Sequence, residues 1–266
     1  MIINSNPLVA SPPSEIPLRN APLVRVIAQV RFPLIASIDK RGFIAAFQEG
    51  LRDTYPVLRQ ETIQGLVVGS QGVAASQPQV VWRFNDVDGK WRISLAPDFI
   101  ALETTSYSSR SNFLERLQVA LSALNEHIGP KIVDRLGLRY IDRIIVQDID
   151  DIAQLVRPEV IGILATPMAA SAQQSLGESL FTVPDTQARL LARWGKIPSK
   201  HTVDPAAIEP VEEPSWILDL DMFSIGPRPF ETEDLVAEAR TYAERIYTLF
   251  RWAVKDEFLR RYGGDI

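Results

Sequence analysis

The chain has 266 residues, of which 46% are hydrophobic and 23% are charged, and its formal net charge is -5. These values are ordinary for a soluble globular protein, and the acidic balance argues against a generic nucleic-acid-binding protein, which needs clustered lysine and arginine. The absence of cysteine excludes disulfides, thiol nucleophiles and thiolate metal sites. Because no secretory signal and no stretch of ~18 apolar residues is found, we expect a cytoplasmic protein that does not interact with membranes.

The chain begins with a proline-rich stretch. Residues 1–21 have the composition of an extended arm, which we expect to be ordered only where it lies along the body of the protein. The next segment, 23–32, alternates apolar with polar residues and is predicted as a half-buried strand. Arg25 and Arg31 lie on its polar side.

A short helix is expected to follow this strand, with Asp39 as its N-terminal cap. Its apolar residues recur every four positions, which predicts one buried stripe. The stripe consists of Phe43, Phe47 and Leu51. A strand at 63–69 and a polar loop at 70–78 are expected next.

The segment 79–107 contains three strand-like runs separated by recognisable turns. Asp88-Gly89 is typical of a tight hairpin, and Pro97 and Asp98 mark the second break. This pattern predicts an antiparallel meander. Ser111 is expected to cap the long helix that follows, and Gly129 to end it.

The rest of the chain repeats this type of pattern. The expected elements are a strand at 136–147, short helices at 150–164, strands at 173–183 and 187–197, an exposed loop at 198–214, a strand at 215–223 and a long helix at 231–262. Together they predict an α+β fold in which antiparallel β-sheets are covered by long α-helices. After the arm, we expect two similar halves, 22–147 and 148–266, which pack together as one globular unit.

The sequence contains none of the common catalytic motifs, such as GxSxG, the P-loop, GxGxxG or HExxH. His127 and His201 have no evident neighbouring ligand groups, and we expect structural roles for both and neither a metal site nor a cofactor. Asp148, Asp150 and Asp151 either cap a helix or hold a divalent cation.

Arginine recurs on the polar sides of the predicted strands, and acidic residues occupy comparable positions. The arginines are Arg25, Arg31, Arg83, Arg139, Arg143, Arg189 and Arg193, and the acids are Glu103, Asp219 and Asp221. A shared sheet would place these charges on one face. That face either binds an anion, because the planar guanidinium suits phosphate and carboxylate, or carries cross-strand ion pairs exposed to solvent.

These patterns favour a non-enzymatic binding or regulatory module for an anionic ligand or protein partner. The candidate ligand-binding residues are Arg139, Arg143, Arg189, Arg193, Glu103, Asp219 and Asp221. The alternative is an enzyme for a phosphorylated or nucleotide substrate, with or without a divalent cation, in which the arginines clamp the anion and one carboxylate serves as base or metal ligand. A homo-oligomer through the C-terminal helix is a third expectation, because its aromatic residues do not share one stripe.

Four segments carry a resemblance to a known family: LRNAPLVRVIAQVRFP, WRFNDVDGKWRISLAPDFIALETTSYSSRSNFLERL, GLRYIDRI and LFRWAVKDEFLRRYG. The chain resembles, over nearly its whole length, the sporadically distributed bacterial family of uncharacterised proteins of about this size. The resemblance implies no established activity, cofactor or catalytic residue. The patchy occurrence of the family implies genes that move horizontally, such as defence or toxin–antitoxin loci.

Overall fold

The computed structural model describes residues 5–63, 66–69, 72–75, 78–145, 152–184 and 186–265. The chain divides into two compact units, which are described separately below. Unit 1 comprises Met1–Val26, Leu138–Ser224 and Arg240–Ile266, and unit 2 comprises Ile27–Gly137 and Ile225–Ala239. The similarity of two sequence halves, 22–147 and 148–266, stays a prediction.

The fold is α+β, as the sequence predicts. The strands are β1 Leu23–Arg31, β2 Val57–Ile63, β3 Leu66–Gly69, β4 Gly72–Ala75, β5 Gln79–Asn85, β6 Trp91–Ala96, β7 Phe99–Thr104, β8 Ile132–Ile145, β9 Ser175–Thr182, β10 Ala188–Ile197 and β11 Ser215–Pro229. The helices are α1 Ala45–Leu51, α2 Arg110–His127, α3 Ile152–Leu155, α4 Pro158–Ile161, α5 Thr232–Ala253 and α6 Asp256–Arg261, and short 3₁₀ helices lie at Ala36–Asp39, Gly162–Ala165 and Pro167–Ser171.

Nine of these strands form one antiparallel sheet in the order β2-β5-β6-β7-β1-β8-β11-β10-β9, and β3 pairs separately with β4. Within unit 2, β5, β6 and β7 form the predicted meander, with Trp82 opposite Leu95 and Phe84 opposite Ile93. These four side chains are buried, because alternation brings them all to the core side of the sheet.

The first hairpin of the meander is a five-residue turn, 86–90, in which only Gly89 has a positive φ, of +68°. The carboxylate of Asp86 accepts hydrogen bonds from the backbone N–H groups of Lys90 at 2.8 Å and Trp91 at 3.2 Å. The turn therefore depends on Asp86 as well as on the predicted Asp88-Gly89 pair.

Several predicted element ends in unit 2 are wrong. Asp39 does not cap α1, because it is the last residue of a 3₁₀ helix that forms first. Ile38 of this 3₁₀ helix is buried, and its carbonyl accepts a hydrogen bond from Trp82 Nε1 at 2.8 Å. Helix α1 therefore starts later, and Phe43 is 38% exposed whereas Phe47 is buried. The strand β2 was not predicted, because its residues are almost all exposed and show no apolar alternation.

The cap of α2 is Ser109 rather than Ser111. Ser109 has an extended backbone, and its Oγ accepts a bond from the N–H of Asn112 at 3.2 Å, as an N-cap does. Several serines crowd this loop, and the sequence alone does not choose among them. Gly129 ends the helix as predicted: its φ is +68° and its N–H donates to the carbonyl of Leu124.

Strands β9 and β10 form in unit 1 as predicted. Strand β11 begins at the predicted residue but continues to Pro229, and its residues after Ser224 belong to unit 2. Alternation along β11 places four residues on one side, all of them buried, namely Trp216, Leu218, Leu220 and Met222. The single long C-terminal helix is a wrong prediction, because α5 ends at Ala253 and α6 is separate. The helix breaks between α5 and α6 because its backbone pairs there with another segment. The N–H of Lys255 donates to the carbonyl of Leu155, and the N–H of Arg157 donates to the carbonyl of Ala253.

Candidate functional site

The candidate residues of unit 1 lie on one face of the sheet. In an antiparallel pair, residues directly opposite each other project to the same side. Arg193 on β10 lies opposite Asp219 on β11 and opposite Glu178 on β9. Alternation places Arg189 and Asp221 on this side as well. We call this side the charged face.

Strand β8 contributes two further residues to the charged face. Arg139 contacts Asp219 directly, and Arg143, four residues along the strand, lies on the same side by alternation. Six of the seven predicted site residues therefore lie on the charged face, namely Arg139, Arg143, Arg189, Arg193, Asp219 and Asp221. The seventh, Glu103, belongs to unit 2.

The guanidinium of Arg139 is fully engaged by carboxylates. Its Nε and Nη2 each donate to one oxygen of Asp219 at 2.7 Å, in a bidentate pair. Its Nη1 donates to Asp204 Oδ2 at 2.6 Å. Because Asp219 has no exposed side-chain surface and both its oxygens accept from Arg139, it is poorly placed to act as a catalytic base.

Asp204 is the carboxylate that the sequence did not single out. It lies in the 198–214 loop, which was predicted as an exposed loop and which in fact buries Ala207 and Ile208. Burial raises the pKa of Asp204, but the hydrogen bond and charge of Arg139 lower it by more, so its pKa lies below the ordinary value. Burial likewise lowers the pKa of Arg139, and its two carboxylates raise it by more.

The same loop is also held by Arg143. Its Nη2 donates to the carbonyl of Glu209 at 2.8 Å, whereas its buried Nε has no hydrogen-bond partner within the described part of the chain. Burial lowers the pKa of Arg143 below that of an ordinary arginine. Two of the predicted anion-binding arginines therefore bind this loop, one through a carboxylate and one through a carbonyl.

Arg193 differs from these two arginines. Its Nε lies 3.3 Å from Asp219 Oδ2, without the alignment of a hydrogen bond, and 3.8 Å from Glu178 Oε2, which is too far for one. Across the described residues, no hydrogen bond is found for any of its guanidinium nitrogens, although the side chain is only 24% exposed. Arg189, on the same strand, is exposed.

Arg193 lines a cleft of about 380 Å³ that lies entirely within unit 1. The cleft also has polar groups, including His201 and Gln174, and an apolar part. The apolar lining consists of Leu176, Ile197, Pro198 and Val203. The Nδ1 atom of His201 lies 2.7 Å from the carbonyl of Ser199, which fixes the direction of the ring. A volume of this size is within the range of small-molecule sites.

Glu103 belongs to a different cluster, which crosses β2, β5, β6 and β7 in unit 2. It accepts a hydrogen bond from Arg92, the residue directly opposite on β6, and lies 3.9 Å from Arg83 Nη1. Arg83 in turn donates to Glu61 at 3.1 Å and to Ser94. These side chains therefore form cross-strand ion pairs, which is the alternative to anion binding that the sequence left open.

The remaining candidates add no metal-ligand cluster. Among the residues that the structure describes, no group of three or more His, Asp or Glu side chains is arranged to hold a metal ion. Asp148, Asp150 and Asp151 lie outside the described residues. His127 is the last residue of α2, and its Nε2 lies 2.9 Å from where a Cβ on Gly50 would be. No described helix has the length and apolar character needed to cross a bilayer.

Among the residues that surround Arg193 and Arg139, Glu178 could not have been identified from alternation, because it shares the exposed side of β9 with Leu176 and Leu180. Asp204 carries no such signal either, since its position depends on the tertiary course of a loop. Comparison with protein-family models and with curated proteins finds no match to the chain. Its membership of the sporadically distributed bacterial family therefore stays a prediction.

Proposed function

We propose that this chain is a binding module whose cleft recognises an anionic group of a ligand or protein partner through Arg193. The observation that supports this proposal is the guanidinium of Arg193, a largely buried cation whose donors find no hydrogen-bond acceptor among the described residues. The Nε donor is shielded from water without a partner, which costs free energy. The two Nη groups are not shielded in this way, and they can donate to a bound carboxylate or phosphate.

The carboxylates around Arg193 favour a singly charged group over a polyphosphate. The cluster holds two guanidinium groups, Arg139 and Arg193, against three carboxylates, those of Asp219, Asp204 and Glu178. Its summed charge is therefore -1, and it would repel a polyanion. Recognition would depend on directed hydrogen bonds from Arg193 rather than on a positive field, so we expect binding to depend only weakly on salt.

The apolar lining favours a ligand with a hydrophobic body next to the anionic group. Suitable probes are the singly charged anions benzoate and benzenesulfonate, with benzamide as the uncharged probe of similar shape. We expect the two anions, but not benzamide, to raise the melting temperature and to give a measurable dissociation constant by calorimetry.

The test uses two variants on one strand. Arg193→Ala should weaken binding of the anionic probes by at least about tenfold, because a hydrogen bond to a charged group is worth about 1.5 to 3 kcal/mol. Arg189→Ala is the matched control: this arginine lies on the same face of β10, is exposed and does not line the cleft. Equal affinities for both variants, or no binding of either anion to the wild type, would refute the proposal.

A further inference from the structure

We propose that the C-terminal helical region of unit 1 is a receptor for a proline-rich segment, and that it accepts the N-terminal arm of a second copy of this chain. The arm is residues 5–20. The receptor consists of the second half of α5, from Arg245 to Arg251, and of the turn Tyr262–Asp265. Arm and receptor both belong to unit 1, and the inference is independent of the cleft beside Arg193.

Side chains of α5 hold the arm by its backbone. Arg245 Nη1 donates to the carbonyls of Pro7 at 2.7 Å and Ala10 at 2.8 Å. The Tyr247 hydroxyl accepts from the N–H of Ile16 at 2.8 Å and lies 3.4 Å from the carbonyl of Ser14. Arg251, which is buried, places Nη1 3.5 Å from that same carbonyl.

This donor set matches the chemistry of proline-rich chain. Proline has no backbone N–H, so segment 7–17, with Pro7, Pro12, Pro13 and Pro17, presents more carbonyl acceptors than N–H donors. Arginine and tyrosine side chains supply donors and a planar surface, which is how proline-rich peptides are commonly bound. Most of these contacts are to backbone atoms of the arm. Two of them depend on a turn, because the N–H groups of Val9 and Ala10 donate to the carbonyl of Asn6 and Arg245 binds carbonyls of this same turn.

The turn after α6 forms the other end of the receptor. Gly263 has a φ of +81°, and a Cβ on Gly264 would lie 2.9 Å from both Ile16 Cγ2 and Leu18 Cδ2. The glycine therefore allows the two arm side chains to lie directly against the backbone of the turn. The N–H of Asn20 donates to the carbonyl of Tyr262 at 3.1 Å, and Arg19 forms a salt bridge with Asp265 at 2.9 Å.

The arm has a short pivot that would permit exchange. Asn20 is fixed by Tyr262, and the carbonyl of Pro22 accepts a bond from the N–H of Arg143 at 2.8 Å, so the pivot is Ala21. An arm from a second copy would reproduce the contacts between arm and receptor, because each of these joins residues 7–20 to residues 245–265. The chain's own arm competes at an effective concentration on the order of millimolar, so exchange should rise with protein concentration.

The absence of native cysteine makes a direct cross-linking test possible. The double variant Arg19→Cys, Asp265→Cys places thiols on two exposed side chains that meet when the arm is bound. A short bis-maleimide then joins the two thiols within one chain, or between two chains when arms are exchanged. We expect covalent dimers whose share increases over a hundredfold range of concentration, well above that of either single-cysteine variant. Cross-links formed only within single chains at every protein concentration would contradict the proposed exchange of arms.

A peptide test examines the receptor itself. A fluorescent peptide of residues 5–20 is titrated into the full-length variant Ile16→Asp, Arg19→Asp, in which the chain's own arm has lost two anchors. We expect at least about tenfold tighter binding than to the wild type, since the intramolecular competitor is weakened. Adding Tyr247→Phe to this double variant should lower its affinity for the peptide about fivefold, as expected for the loss of one hydrogen bond. Adding Arg240→Ala instead, at an exposed position of α5, should leave the affinity unchanged. Equal affinities for all these variants would refute the receptor.

Discussion

Asp142, on β8, is a buried carboxyl group with a consequence for stability. The residue is 8% exposed, and burial raises its pKa to about 7 from the ordinary value of 3.8. Between these two pH values the folded chain holds a proton that the unfolded chain has lost. The free energy of unfolding therefore falls as the pH rises through this window, and by pH 8 the loss amounts to about 4 kcal/mol.

We expect Asp142→Asn to remove most of this pH dependence. The amide has the shape of the carboxyl group but does not ionise, so the variant should match the wild type near pH 4 and exceed its stability by several kcal/mol at pH 8. Urea unfolding at a series of pH values measures the effect. Asp134→Asn, a half-buried aspartate of the same strand, serves as the control. A wild-type profile with no fall between pH 4 and 7 would contradict the assignment.

At the residue scale, the alternation of β8 places Asp142 on the same side as Leu138, Tyr140 and Ile144. The sequence alone did not single out this carboxyl group, because an aspartate between apolar positions carries no signal of how deeply the fold buries it. The sequence also did not predict which carboxylates the arginines of the charged face would bind, because Asp204 and Arg139 are 65 residues apart in the chain.

At the scale of single elements, the 198–214 loop is the feature that most changes the interpretation of the charged face. Hydrogen bonds within the loop hold its backbone. The N–H of Lys200 donates to the carbonyl of Val211, and the N–H groups of Ala207 and Ile208 donate to the carbonyl of Asp204. Arg139 and Arg143 then hold it to β8. The loop itself thus occupies the acceptor positions that an external anion would take at these two arginines.

We expect Asp204→Ala to release the loop locally. Loss of a charge-assisted hydrogen bond of about 2 kcal/mol should speed amide hydrogen exchange in 198–214 by about thirtyfold while leaving β10 protected. Glu212→Ala is the control on the same loop: its pair with Lys200 is largely exposed and should matter little. Unchanged exchange in the Asp204 variant would show that Arg139 does not anchor the loop.

The acid dependence of this anchor has a definite sign. The folded-state pKa of Asp204 lies below its unfolded value, so the stabilisation is present above the unfolded value of 3.8 and is lost as the pH falls through the lowered pKa. The loop should therefore stay anchored at neutral pH and open only in acid. Proline content predicted a loop here, but not its burial, because the anchoring arginines are placed by the pairing of distant strands.

For the whole molecule, the sequence predicted the fold class and most strands but not the strand order. The meander of β5, β6 and β7 follows from adjacent runs and their turns. By contrast, β1 lies between β7 and β8 in the sheet, and β2 forms one edge. Such pairings join segments far apart in the chain, and periodicity within a segment carries no information about its neighbour.

The overall charge predicts how the protein behaves in solution. Its isoelectric point is near pH 5.2, so we expect solubility to be lowest there and to rise toward neutral pH. Precipitation by polyethylene glycol across pH 4.5 to 8 measures this. Arg189→Glu should move the minimum to lower pH, because it changes the net charge by about two at an exposed position. A minimum that does not move would mean that local patches, not net charge, control association.

The binding of the arm to the C-terminal region also has a consequence during biosynthesis. Ile16 bonds to Tyr247, 231 positions later in the chain. At about 5 to 20 residues per second, the ribosome adds that partner roughly 10 to 50 s after it has made the arm. Throughout this interval the arm has no site of its own to occupy. On a polysome, a finished receptor on one chain and an unattached arm on the next would be close together, which would favour pairing between newly made chains.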